Sequence, residues 1–429
     1  TDDDDNKMEL DEAPTIILQK KKFHLYSYII HVDQKVDDDN KLLGKILCLL
    51  HSIYYIFDLR YPEHLKHFVE LTDFYMRKQQ NFNKLSITLQ SVILKLRTNQ
   101  NAYMPLNEDI VLAVRVQNLL PTETNIYDVA PSKIAVSKSV NNDQLKYTYI
   151  REEDVIIDPA DQPYQIAGAE DPRIVLYNNT YYLFYTAVSK TDTGDWLAHL
   201  ALATCNAVND PLKKQSWQYH GPLFPNHSWS KSGALLIHNQ THSYLFFNDS
   251  SIAIAVSEDL IHYELTGNLL FTTREDRFDS ELVEAGPEPQ RLSDGNYLFL
   301  YNSARQTTIP NPKPGWRLEY NLGWVILDGQ NPLNILARSD EPIFSPDKDW
   351  EKCDNSSSTF WRTRGLTPLV VFVEGWKKIA NDQFLIWYQG CDTTVGVAEL
   401  KVAFGNCFIL KMSVPVMAFS LTLYLLALG

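Results

Sequence analysis

The sequence is poor in the features that mark several functional classes. Its 429 residues hold five cysteines, Cys48, Cys205, Cys353, Cys391 and Cys407. They are scattered, odd in number and never spaced CxxC, so neither a disulfide framework nor a zinc site is signalled. Positive charge is short as well: 39 Lys and Arg against 53 Asp and Glu give a formal net charge of −14. With no basic stripe interleaved with aromatics, a nucleic-acid partner is not expected. There is no glycine loop to cradle a phosphate, no nucleophilic Ser or Cys arrangement and no metal-ligand cluster, so no cofactor is expected. Long apolar runs are also scarce. Val414–Gly429 is sixteen residues without a charge, slightly short for a spanning helix. It is a candidate membrane segment through which weak membrane association is expected. That tail, with sequons at Asn178, Asn226, Asn239, Asn248 and Asn355, favours a secreted or membrane-associated protein over a cytoplasmic one.

What is present divides the chain into four parts. The acidic runs Thr1–Asn6 and Val36–Asn40 mark residues 1–40 as a solvated, disordered tail. Residues 41–97 carry Leu, Ile, Phe and Tyr at spacings of three and four, which predicts a helical extension of two or three helices. Residues 98–402 hold a repeat, and residues 403–429 form a hydrophobic tail.

The repeat is a short apolar-aromatic strand: "DIVLAVRV" from Asp109, "YYLFYTA" from Tyr181, "YLFFNDS" from Tyr244, "YLFLYNS" from Tyr297 and "FLIWYQG" from Phe384. Four copies follow another apolar strand across a turn rich in Asn, Asp or Gly, the chemistry of hairpin loops. A third strand with small residues follows four of them, starting at Leu200, Ile252, Leu322 and Val395. Five copies predict an all-β fold, a five-bladed β-propeller, in which radial repetition protects the sheet edges. In such a fold the first strand of each blade lines the central channel. The residues just before each first strand therefore converge on one axis: Asn101, Glu170, Asp171, Arg173, Lys231, Glu281, Glu284, Glu288 and Arg364. Carboxylates, amides and bases, with Trp229, Trp316 and Trp361 nearby, suit a carbohydrate, which offers hydroxyls to polar groups and C–H faces to rings.

At these residues the chain resembles glycoside hydrolase family 130, the mannoside phosphorylases and β-mannosidases. The likeness rests on "EDPRI" at 170–174, "FDSELVEAGPEP" leading to "DGNYLFLYN", "YNLGWVILD" at 320–328, "ARSDEPIFSP" at 337–346 and "DTTVGVA" at 392–398. It runs from about Asn99 to about Leu400 and implies a five-bladed propeller acting on small mannosides. The helical segment and the tail lie outside it.

The resemblance gives Asp171 the role of acid, its proton passing to the leaving oxygen through a sugar hydroxyl. The family's phosphorylases hold phosphate with two arginines around blade 3. Here the first position reads "WSKSGA", leaving Lys231 as a cation, and the second has Asn248 or Asp249. That departure favours water over phosphate as the attacking group. Hydrolysis needs a base, for which Glu284 is the first candidate and Glu319 the second, while Glu281 and Glu288 read as solvated turn residues. An inverting mechanism requires the two carboxyls roughly 6.5–9.5 Å apart. Asn101, Glu170, Arg173, Lys231, Asn248 and Asp392 make up the candidate substrate-binding set, with Asp392 also bracing the closing blade. The leading expectation is an inverting hydrolase of β-1,2- or β-1,4-linked mannosides. The alternatives are a phosphorylase releasing mannose 1-phosphate, with inorganic phosphate as co-substrate, and a non-catalytic sugar-binding propeller. A furanosidase, suggested by "EAGP", is a further alternative, against which stands the absence of the furanosidases' early Asp base motif in blade 1.

Overall fold

Strand sequences in this chain alternate in a way that buries both of their faces. In "TYYLFYTAVSK", Tyr181, Leu183 and Tyr185 pack to one side, while Tyr182 and Phe184 pack to the other. A strand with two apolar faces needs a neighbouring sheet on each side. Radially stacked sheets meet that need.

The computed structural model describes residues 16–20, 28–32, 97–117 apart from 107 and 108, and 131–307 apart from 142 and 145. It also describes 316–352, 367–403 apart from 393, and 409–413. In the first unit of the chain, Thr1–Ile93, β1 (Ile16–Lys20) and β2 (Tyr28–Val32) pair antiparallel. That hairpin lies within the stretch expected to be a solvated tail. The helices expected over 41–97 fall outside the described residues, except that Arg97 already belongs to a strand.

Five antiparallel sheets follow. Blade 1 is β3 (Arg97–Leu106), β4 (Asp109–Gln117), β5 (Lys133–Lys138) and β6 (Val155–Ile157). Blade 2 is β7 (Gly168–Tyr177), β8 (Thr180–Lys190), β9 (Trp196–Asn206) and β10 (Gln218–Pro222). Blade 3 is β11 (Ala234–Ile237), β12 (Ser243–Phe247), β13 (Ser251–Ser257) and β14 (Glu264–Thr272). In blade 4 the first strand is split into β15 (Leu282–Ala285) and β16 (Gln290–Arg291), both pairing β17 (Tyr297–Gln306), followed by β18 (Leu318–Leu327) and β19 (Ile335–Arg338). Blade 5 is β20 (Val371–Ala380), β21 (Gln383–Gly390), β22 (Thr394–Ala403) and β23 (Ile409–Ser413). β4, β8, β12, β17 and β21 carry the five repeated segments. β23 pairs with β22, so residues of the expected tail complete the last blade.

Five apolar clusters join the blades pairwise. Val111 shares a cluster with Leu183, Leu202 with Leu245, Phe246 with Phe299, Leu300 with Ile386, and Leu112 with Trp387. The last cluster joins blade 5 to blade 1 and closes the ring. There Tyr103 stacks on Trp387, with ring centroids 5.3 Å apart and planes 8° apart. Gly375 permits the approach: a Cβ there would stand 2.3 Å from the Tyr103 nitrogen.

One expectation changes. Cys391 is disulfide-bonded, whereas Cys205 is free and buried. The cysteine spacings in the sequence carry no signal of that bond. Among the described residues no helix is long and apolar enough to cross a membrane. Val414–Gly429, the expected membrane segment, lies outside them.

Candidate active site

Three first strands break register. β3 slips between Asn99 and Asn101, β7 between Glu170 and Arg173, and β20 between Val373 and Gly375. A bulge places an extra residue out of the ladder and re-aims its side chain. In β7 the extra residues are Asp171 and Pro172. Proline has no N–H to lose from a ladder, and Asp171 takes the left-handed conformation with φ 52°, which Asp tolerates better than most residues.

Asp171 is 3% exposed. Its Oδ2 accepts a hydrogen bond from Thr186 Oγ1 at 3.0 Å, and Arg115 Nη1 stands 3.7 Å from its Oδ1. Arg115 also meets Glu170 at 3.1 Å and Asp392 at 3.3 Å. Glu170 accepts a second bond from Ser132 Oγ at 2.6 Å, and Asp392 one from Thr367 Oγ1 at 3.3 Å. Burial alone would lower the Arg115 pKa, but Glu170, Asp392 and Asp171 outweigh it and hold the guanidinium above its ordinary value. Burial pushes the Asp392 carboxyl up, with Arg115 opposing.

Arg173, expected to bind substrate, is buried at 1% exposure. It donates to the carbonyls of Asp171 and Ala285 at 2.8 Å each and of Gly286 at 3.4 Å. It also pairs with Glu374 Oε1 at 3.4 Å. Its donors are spent on main chain of blades 2 and 4 and on blade 5, so it clamps the floor of the site instead of facing a ligand. Glu374 is the extra residue of the β20 bulge. Its Oε2 is buried and has no hydrogen-bond partner among the described residues. Burial raises its pKa well above the ordinary value, Arg173 pulling it back and Asp171 adding to the rise.

Blade 3 contributes Lys231, whose Nζ lies 3.2 Å from Glu284 and 3.7 Å from Asp249. Ser232 donates a short hydrogen bond to Glu284. Glu284 is 1% exposed; burial raises its pKa, while Lys231 beside it favours the ionised form. Burial would lower the Lys231 pKa, but Glu284, Asp171 and Asp249 keep it above its ordinary value and so keep the ammonium charged. Asn248, at φ 86°, bonds through its N–H to the Lys231 carbonyl at 2.7 Å. Its Oδ1 is buried without a partner among the described residues.

The other candidates fare differently. Glu319, the second candidate base, pairs across the hairpin with Arg305 at 2.8 Å. Its neighbour Tyr320 is the residue that feels Lys231, Glu284, Asp392 and Asp249. Adjacent strand residues point to opposite faces, so Glu319 is turned away from that group. Glu281 is exposed, as expected. Glu288 is not simply a solvated turn residue: burial pushes its carboxyl up to about 8. The Asn101 backbone lies on β3, while its side chain, Trp361 and Arg364 lie outside the described residues.

Sequence reading missed Arg115, Tyr320 and Glu374. Arg115 carried a signal, as the one basic residue inside the apolar run after Asp109. Glu374 carried none, because a bulge cannot be seen in an apolar strand. Among the described residues no group of three or more His, Cys, Asp or Glu is placed to hold a metal ion.

Comparison with known proteins places the chain among mannoside-active relatives. A 1,2-β-oligomannan phosphorylase of Thermoanaerobacter sp. (strain X514) is 28% identical over 242 residues, 56% of this chain and 70% of that protein. A β-1,2-mannobiose phosphorylase of the same strain is 29% identical over 242 residues, 56% and 68% respectively. The structure of a Listeria innocua β-1,2-mannobiose phosphorylase, complexed with β-1,2-mannobiose, superposes with a TM-score of 0.57 at 21% identity, covering 71% of this chain and 90% of that one. The family model described as β-1,4-mannooligosaccharide phosphorylase matches residues 101–404, the propeller almost end to end, and the chain belongs to that family, glycoside hydrolase family 130.

Proposed function

We propose that this chain cleaves β-linked mannosides, β-1,2-linked ones foremost, by inverting phosphorolysis with Asp171 as proton donor. The observation that carries the reading is Asp171 itself, a buried carboxyl bulged out of the first strand of blade 2 beside cations of blades 1 and 3. Curated relatives that are phosphorylases of β-1,2-mannosides draw the reading away from the hydrolysis expected from sequence and toward its alternative.

In the proposed reaction a phosphate oxygen attacks the anomeric carbon from the face opposite the leaving sugar. The glycosidic C–O bond breaks, the leaving oxygen takes the proton from Asp171 by way of a sugar hydroxyl, and α-mannose 1-phosphate results. Lys231, kept charged by its carboxylate neighbours, is the cation available on the blade 3 side to the incoming phosphate. The clamp of Arg173 on the Asp171 carbonyl holds the acid in position, as a proton donor must be held to be effective.

One observation favours hydrolysis as a second reading. Arg115, Arg173 and Lys231 are each paired with a carboxylate, and Asp249 would repel a phosphate dianion near Lys231. Glu284 would then take a proton from water. Incubation with β-1,2-mannobiose with and without phosphate decides between them. Mannose 1-phosphate formed only when phosphate is present supports phosphorolysis. Mannose released equally in its absence overturns it, and binding without turnover leaves a sugar-binding propeller.

A further inference from the structure

Trp229 is exposed and yet fixed. Nearly half of it, 48%, remains in solvent, although an indole is among the largest apolar groups a fold can bury. Its backbone is bound to blade 2 through a parallel bridge with Ala198, and the next residue, Ser230, donates to the Ala198 carbonyl at 2.8 Å. Its side chain is held too: Nε1 donates to both carboxylate oxygens of Asp249, 3.1 Å from each. Asp249 stands 3.7 Å from Lys231, which stands 3.2 Å from Glu284. A chain of three contacts therefore joins the buried carboxylate of the site to an open aromatic ring.

Exposure alone would not make an argument. Trp196 is more exposed, at 57%, but its ring is capped by the Lys190 ammonium 4.0 Å from the centroid, and it begins a strand at a hairpin. Trp229 has no cation over it among the described residues, and its only polar atom is already satisfied by Asp249. What the ring has left to offer is its apolar faces. Beside them stands the Asp249 carboxylate, partly open at 18% of its side chain. Apolar face plus polar edge is the complement of a pyranose, which has C–H bonds on one face and hydroxyls around its rim.

We propose that Trp229 is the stacking platform for a second mannosyl unit, the neighbour of the sugar held over Asp171, with Asp249 fixing the ring. The proposal rests on the mannoside reading above and adds a consequence to it. The site prefers a disaccharide or longer chain to a single β-mannosyl group carrying a small aglycone.

The test compares β-1,2-mannobiose, β-1,2-mannotriose and methyl β-mannoside, which has no second sugar, in phosphate buffer. For Trp229→Ala the ratio of the mannobiose KM to the methyl β-mannoside KM rises roughly tenfold, the scale of one stacking contact. Trp229→Phe, which keeps a ring, restores the ratio to within about threefold. Trp229→Leu, which keeps bulk without a flat face, behaves as Ala does and serves if the Ala variant does not fold. Calorimetric titration of mannobiose into the doubly substituted protein, with Asp171→Asn removing turnover, should show the same loss of affinity. An unchanged ratio in both Ala and Leu variants overturns the platform while leaving the mannoside reading standing, as does an equal loss for all three substrates. A wild-type protein that neither binds nor cleaves any of the three overturns both.

Discussion

Asp171 and Glu374 reach the centre of the propeller by the same device, an extra residue bulged from the first strand of its blade. One guanidinium ties them together: Arg173 Nη1 donates to the Asp171 carbonyl at 2.8 Å and pairs with Glu374 at 3.4 Å. Neither carboxylate would face the axis from a regular strand, because a regular ladder would pair the residue and aim its side chain into the space between blades.

Asp171→Asn is expected to lower turnover of β-1,2-mannobiose by about 10²–10⁴-fold, the usual contribution of a general acid. Thr186 can still bond to the amide oxygen, so the melting temperature should stay close to that of the wild type. Undiminished turnover removes Asp171 from the acid role.

Lys231→Met is expected to raise the KM for phosphate by about tenfold or more, since a charge-assisted hydrogen bond is worth about 1.5–3 kcal/mol. Initial rates at varied phosphate and saturating mannoside measure it. A phosphate KM equal to that of the wild type rules out the ammonium as a phosphate ligand.

Glu374→Ala leaves the Arg173 guanidinium buried without its carboxyl partner, which is expected to cost about 3–5 kcal/mol of stability. Glu374→Gln keeps an oxygen to accept from Arg173 and should lose less than half of that. Urea denaturation of the two variants gives the comparison, and equal losses would show that the acceptor oxygen is not what matters.

Glu288 carries a pH dependence. Its pKa is raised from an ordinary 4.5 to about 8 by burial, against hydrogen bonds that favour the ionised form. The folded state therefore holds the proton more tightly than the unfolded chain. Its contribution is fully present below pH 4.5 and is lost as pH climbs toward about 8. Glu288→Gln should accordingly melt above the wild type at pH 8.5 and show no such advantage at pH 4.5 in a thermal series. A constant difference at the two pH values would contradict the assignment.

Gly375→Ala tests closure of the ring. The added methyl would stand 2.3 Å from the Tyr103 nitrogen, so blade 5 must move away from blade 1. Overpacking of this kind costs about 1–3 kcal/mol, readable as a lower denaturation midpoint. A variant as stable as the wild type would show that the two blades have slack there.

The sequence by itself determined the fold and singled out the candidate acid. Strand periodicity is a local property, and five repeated segments with hairpin turns leave few architectures that bury both faces of every strand. "EDPRI" marks the blade 2 turn because Pro and two acids before an apolar run are visible without any partner. Tertiary structure decided what those residues do. Arg173 reads as a ligand in the sequence and is a buried clamp in the fold, because two of the carbonyls it meets are more than a hundred residues away. Glu319 reads as a base and is turned toward Arg305, because strand pairing sets which side faces the axis. Glu374 is invisible until a bulge turns it inward. Pairing register and burial are properties of chain segments brought together from opposite sides of a ring, and no single stretch of residues contains them.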